Sequence, residues 1–193
     1  MELLKKKILE CGKALNSEVL LVDSFLNHQV DVELMNEIGK EFARLFKDEG
    51  ITKVATIESS GIAPAAMAAL HLGVPMVILK KAKSMILSDG VIQTEVFSFT
   101  KRTSYQLTLK GKFINKGDRV LLVDDFLAQG EAAFGGANII KRAGGEVAGI
   151  GIVISKNFQP GMDRLRRAGY RVESLAQIAA MDENVVEFEG DNE

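Results

Sequence analysis

"RVLLVDDFLAQGEAAFGGANII", residues 119–140, decides the fold. Its first half is an uninterrupted apolar run, Val120 to Val123, closed by two adjacent aspartates, Asp124 and Asp125. Its second half passes through small residues and Gly130 into apolar positions at helical spacing. A strand that is apolar throughout is one covered on both faces, and a strand leading at once into a helix is the unit of a parallel sheet. Burial gives no reason to end such a strand on two carboxylates. In an open α/β sheet, ligands sit beyond the carboxyl ends of the strands, where Asp124 and Asp125 fall.

The same grammar extends in both directions. "KVATIE" (53–58), "PMVILKK" (75–81), "DRVLLVDD" (118–125) and "EVAGIGIVIS" (146–155) are short, rich in branched residues and poor in alternation, as doubly covered strands are. Helical periodicity marks 3–15, 32–50 with Gly50 as its stop, 62–73, 131–145 and 161–169. The alternation predicts an α/β fold, a mostly parallel twisted sheet with right-handed crossovers and helices on both faces. Residues 84–112 break the pattern: "IQTEVFSF" and "SYQLTL" flank the polar tip "TKRT", which predicts a protruding antiparallel hairpin acting as a lid or partner surface. The tail "EFEGDNE" is expected to be frayed.

At 193 residues, the chain is expected to form one domain over 1–193. A net charge of −2 argues against an electrostatic grip on nucleic acid or anionic membrane. Cys11 is the single cysteine, which excludes an intrachain disulfide and a cysteine metal cluster. The first residues lack the apolar core of a secretory signal and no stretch approaches about 20 apolar residues, so a reducing cytoplasmic location is expected.

The segment after Asp125 is suited to an anion. "FLAQGEA" (126–132) leads into a helix whose first N–H groups have no internal partner and whose dipole is positive at that end. Ala128 and Gly130 let a phosphate approach the backbone, and Gly130 tolerates a positive φ. The loop has neither the Gly-Lys-Ser/Thr ending of a Walker loop nor a G-x-G-x-x-G spacing. Phosphate on the helix with carboxylates just upstream suits a ligand laid out like ribose 5-phosphate, whose hydroxyls the carboxylates accept and whose ring they stabilise as it becomes cationic. His28 and His71 are too isolated to form a triad or a metal site.

"VLLVDDFLAQGEA" (120–132) resembles the signature of the type I phosphoribosyltransferases, which bind phosphoribosyl pyrophosphate (PRPP). Where that family often has Thr-Gly-Gly-Thr, this chain has Gln129, Gly130, Glu131 and Ala132, so the hydroxyls are lost while the backbone N–H groups remain. Glu131 is therefore expected to turn its side chain away from a bound phosphate. "AQGEA", "LLVDSFLNHQVD" (20–31) and "ISKNFQPG" (154–161) are most similar to the members that act on xanthine. The resemblance implies catalytic roles for Asp124 and Asp125, and PRPP binding by Ala128, Gln129, Gly130, Glu131 and Ala132. It also implies a pyrophosphate loop "ESSGIAP" (58–64), often with a cis peptide, in which Ser59, Ser60 and Gly61 act with Lys81 and Lys83, joined from the hairpin tip by Lys101 and Arg102. A purine site would use Leu20, Asn27 and Lys156 under an N-terminal hood (1–35), with Phe158 either stacking on the base or filling the core. A flexible hairpin (84–112), Mg2+ held mainly by PRPP and water, and a homodimer complete the implied enzyme.

The alternatives are the same chemistry on hypoxanthine, guanine or adenine, with the hood around Leu20 to Asn27 discriminating, and a PRPP-sensing regulator. A regulator requires a DNA-binding module, and the roughly fifty residues before the first core strand show no winged-helix pattern.

Overall fold

A computed structural model describes residues 1–83, 85, 89–98 and 102–190. Lys101 and the end of the acidic tail, expected to be frayed, lie outside the described residues, as does part of the expected hairpin segment. Helix α1 (Glu2–Cys11) leads into a two-stranded antiparallel ribbon, β1 (Lys13–Ala14) with β2 (Leu20–Leu21), and a single π-helical turn, Asp23–Asn27. The expected helix over 3–15 thus stops early: a Cβ at Gly12 would lie 2.5 Å from the Ile8 carbonyl oxygen, and Ala14 turns into the ribbon instead. Helix α2 (Val32–Leu45) is capped by Asp31, whose side chain accepts from Leu34 N–H at 3.1 Å and from Lys7 Nζ at 2.7 Å, tying α1 to α2.

The main body alternates as expected: β3 (Lys53–Ile57), α3 (Ile62–Leu72), β4 (Met76–Ala82), then β5 (Val91–Ser98) and β6 (Thr103–Lys110), β7 (Arg119–Leu127), α4 (Glu131–Arg142), β8 (Glu146–Lys156) and α5 (Gly161–Arg167). Two further strands, β9 (Val172–Asp182) and β10 (Val185–Phe188), come where the sequence suggests none. The eight strands run in the order β10-β9-β8-β7-β3-β4-β6-β5, parallel from β9 to β4 and antiparallel at both edges. The hairpin β5–β6 extends the sheet, pairing Lys80 with Thr108 and Ala82 with Gln106.

Successive residues of β7 serve opposite layers, which explains a strand without polar alternation. Leu121 and Val123 face a core shared with α1, α2, α3 and the hood, including Phe25, Phe42 and Phe46. Val120 and Leu122 face the other, formed with α4, α5 and the hairpin. Phe188 belongs to the first core and is 2% exposed, so this part of the supposedly frayed tail is packed structure.

Candidate active site

Chain order places the site. From β3 the chain crosses to β4 on one side and later returns to β7 on the other, so the loops after β3 and β7 diverge and leave a crevice at the strand ends. A cavity of about 890 Å³ occupies it, lined by Glu58 to Ser60, Lys81 to Lys83, Asp124 to Ala132 and, from the hairpin, Val96, Phe97 and Thr103 to Tyr105.

Asp124 and Asp125 differ in environment. Asp124 is buried and its Oδ1 accepts the Asp125 N–H at 3.0 Å, while Asp125 is half-buried. Burial, reinforced by the neighbouring Asp125 charge, pushes the Asp124 carboxyl well above the usual range, with Lys81 pulling in the opposite direction. Burial and the Asp124 charge also raise the Tyr105 phenol. Gly61 makes the close approach possible: a Cβ there would lie 2.5 Å from Thr56 Oγ1 and 3.1 Å from Asp124 Oδ1. Thr56 Oγ1 is buried without a hydrogen-bond partner among the described residues.

The loop after β7 is shaped by one positive dihedral. Gly130 has φ 91° and is the first cap of α4, so its carbonyl starts the helix by accepting from Phe134 N–H at 2.9 Å. The N–H groups of the first turn have no partner within the helix, as at any helix N-terminus. Glu131 places its carboxylate on Arg164 of α5, with Nη1 to Oε1 at 2.6 Å.

The junction after β3 carries a cis peptide at Glu58–Ser59. Glu58 Oε1 accepts the Lys81 N–H at 2.6 Å and Oε2 lies 3.3 Å from Lys80 Nζ, so this loop is fastened to β4. Ser59 is exposed, Ser60 half-buried and Gly61 buried. Lys81 Nζ stands 5.3 Å from the Tyr105 ring centre, and Lys83 lies exposed at the cavity wall. Arg102, described without its neighbour Lys101, is exposed with φ 50°.

None of the three residues expected at a purine, Leu20, Asn27 and Lys156, lines the cavity. Lys156 Nζ donates to the Glu18 carbonyl, and its nitrogen sits 5.6 Å from the centre of the Phe126 ring, which does line the cavity. Burial lowers the Lys156 ammonium, with the Glu18 charge opposing. Leu20 has its side chain buried in the core, and Asn27 is exposed at the end of the π-turn. Phe158 is 42% exposed and fills no core gap. Sequence reasoning missed Phe126, Tyr105, Glu58 and Arg164. Only Tyr105 left a trace, since it falls on the same face of its alternating run as Leu107 and Leu109.

A parallel sheet with a carboxylate pair between two strand-to-helix loops at its switch point is the architecture of a type I phosphoribosyltransferase. The chain belongs to that enzyme family: residues 22–187 match the phosphoribosyl transferase domain. It is 56% identical to a xanthine phosphoribosyltransferase of Clostridium botulinum over 97% of this chain and 99% of that one. It is 55% identical to the Bacillus cereus xanthine phosphoribosyltransferase over 97% and 95%. Among solved structures, adenine phosphoribosyltransferase of Rhodothermus marinus superposes with a TM-score of 0.74 at 23% identity, covering 92% of this chain and all of that one. The Giardia lamblia adenine enzyme complexed with 9-deazaadenine gives 0.75 at 20% identity, over 90% and 97%. At such identities these two structures speak to the fold.

Proposed function

We propose that the enzyme transfers the phosphoribosyl group of PRPP to xanthine, giving xanthosine 5′-monophosphate (XMP) and pyrophosphate. The observation that carries this reading is the buried and half-buried carboxylate pair standing between two anion cradles in one cavity. The substrate rests on the xanthine phosphoribosyltransferases to which nearly the whole chain is similar.

The bond from ribose C1 to pyrophosphate lengthens before the purine nitrogen arrives, so positive charge builds on the ring and negative charge on the leaving group. Asp124 and Asp125 accept the ribose hydroxyls and stabilise the cationic ring. The N–H groups of loop 128–132 hold the 5′-phosphate. Ser59, Ser60 and Gly61, with Lys81 and Lys83, take the pyrophosphate. The hairpin, through Phe97 and Tyr105, excludes water that would otherwise hydrolyse the sugar. Lys156 donates to the purine, and Asn27 with the backbone near Leu20 recognises the 2-oxo group that sets xanthine apart from hypoxanthine.

Adjacent carboxylates are a donor set suited to Mg2+, and among the described residues no group of three or more acidic, histidine or cysteine side chains is gathered to cage it. Bound mainly by pyrophosphate, ribose hydroxyls and water, the ion would neutralise the leaving group. The chain acts as one domain, 1–193, with residues 1–35 as hood and 84–112 as hairpin, in the cytoplasm and as a homodimer. It has small-molecule substrates and neither a nucleic-acid nor a membrane partner; no helix among the described residues is long and apolar enough to cross a membrane.

The test offers xanthine, hypoxanthine, guanine and adenine in parallel with PRPP and Mg2+, separating the nucleotides by chromatography. XMP should dominate. Preference for another purine would reassign the hood, and no product from any of them would overturn the reading.

A further inference from the structure

Loop 128–131 carries an apparent contradiction. Glu131 in the first turn of α4 favours the helix, because a negative charge there complements the dipole, yet the same charge repels a phosphate bound to that turn. Helix stability and ligand binding pull in opposite directions at one residue.

The start of α5 resolves this. Gly161 N–H donates to the Ala128 carbonyl at 2.9 Å, and the two backbones meet so closely that a Cβ at Gly161 would collide with that oxygen. One turn on, Arg164 Nη1 donates both to the Gln129 carbonyl at 2.7 Å and to Glu131 Oε1 at 2.6 Å. Its guanidinium lies 5.3 Å from the centre of the Phe134 ring, which fixes its height above α4. In a trans peptide, C=O and N–H point in opposite directions. Anchoring the carbonyls of Ala128 and Gln129 to α5 therefore directs the N–H groups of Gln129 and Gly130 away from α5. Both residues line the cavity.

We infer that Arg164 is a positioning residue for the phosphate of PRPP: it holds loop 128–131 with its N–H groups presented and neutralises Glu131. Arg164 itself does not line the cavity and touches no substrate. This rests on the reading of loop 128–132 as the phosphate site. The departure of Glu131 from the family signature and the presence of Arg164, 33 residues away, are two parts of one device.

Steady-state kinetics test it. Arg164→Ala should raise KM for PRPP about tenfold, the scale of one charge-assisted contact at a partly exposed site. It should change kcat by less than about threefold and leave KM for xanthine alone, since the loop is disordered rather than the reacting atoms moved. Arg164→Lys should restore part of the loss. In a Glu131→Gln background the penalty should shrink to about threefold, because only the carbonyl anchor is then lost. Ribose 5-phosphate binding by calorimetry should track the same order, and Arg164→Lys with Glu131→Gln carry the comparison where the alanine variant does not fold. Wild-type KM for PRPP in Arg164→Ala overturns the inference, as does a uniform loss in all parameters matching a fall in Tm. An identical penalty in both backgrounds overturns the neutralising role. Failure of the unaltered enzyme to bind ribose 5-phosphate removes the underlying phosphate reading itself, and this inference with it.

Discussion

Gly61→Ala is a one-carbon perturbation whose effect can be worked from three distances. The new Cβ would lie 2.5 Å from Thr56 Oγ1, 3.1 Å from Asp124 Oδ1 and 3.4 Å from Asp124 Cα. Ordinary contact begins near 3.4 Å, so the Thr56 hydroxyl must yield about 0.9 Å and the Asp124 carboxylate about 0.3 Å. Thr56 is wholly buried in β3 and cannot swing into solvent, so the strain falls on the loop after β3 and on Asp124. Overpacking of this kind costs about 1–3 kcal/mol, a fall in Tm of roughly 2–10 °C for a chain of this size. The loop after β3, which carries Ser59 and Ser60, takes up most of the displacement that Thr56 cannot, and a shift approaching about 1 Å there lowers kcat/KM by up to about 100-fold. Gly73→Ala is the control. With φ 68° and no atom within 4 Å of its would-be Cβ, it costs about 1 kcal/mol in backbone strain far from the site. Thermal denaturation and initial rates, both taken well below Tm, separate the two variants. Gly61→Ala with wild-type kcat/KM, or Gly73→Ala with an equal loss of activity, would refute the reasoning.

The titration of Asp124 sets another outcome. Asp124 holds its proton more tightly when folded than unfolded, so its favourable contribution exists at acid pH and is lost as pH rises through the raised value. Asp124→Asn should therefore be more stable than wild type at pH 7.5, with the difference narrowing toward pH 5, while kcat/KM drops at least about 100-fold. Calorimetry at the two pH values checks the sign, and a variant less stable at pH 7.5 would contradict it. Lys156→Ala should raise KM for the purine about tenfold and disturb PRPP binding far less, with equal losses arguing for a different position of the base. Phe188→Ala should destabilise by about 3–5 kcal/mol in denaturant titrations, because the ring is buried in the core beneath α1; a change near zero would return Glu187 and Phe188 to the status of a frayed tail.

The legible part of the chain is the local part. The run from Val120 to Gly130 holds a doubly buried strand, its acidic end and a helix cap within a few residues, so strand, candidate site and helix could be read together. β9 was invisible for a physical reason. Its buried residues, Val172, Leu175, Ala176, Ile178 and Met181, do not alternate, and alanines fill the positions where branched residues would signal a strand. The hood was half legible, because two-residue strands and a π-turn leave no periodic trace. Contacts that cross the fold were beyond any local reading: Gly61 against Asp124, Phe126 beneath Lys156, and Arg164 on Glu131 each join residues distant in the chain.

The packing of α1 on the far strands also governs how the protein is made. Leu4 and Ile8 share a core with Leu175, Met181 and Phe188, the Met1 nitrogen donates to the Leu175 carbonyl at 2.5 Å, and Lys5 stands 5.3 Å from the Phe188 ring centre. Helix α1 is thus synthesised well before β9 and β10, on which part of its apolar face packs. At roughly 5–20 residues per second, its apolar stripe waits on the order of 10–30 s. Over that interval the nascent chain presents Leu4 and Ile8 as a ready target for a chaperone. A ribosome that stalls short of β10 releases a chain whose first core cannot close.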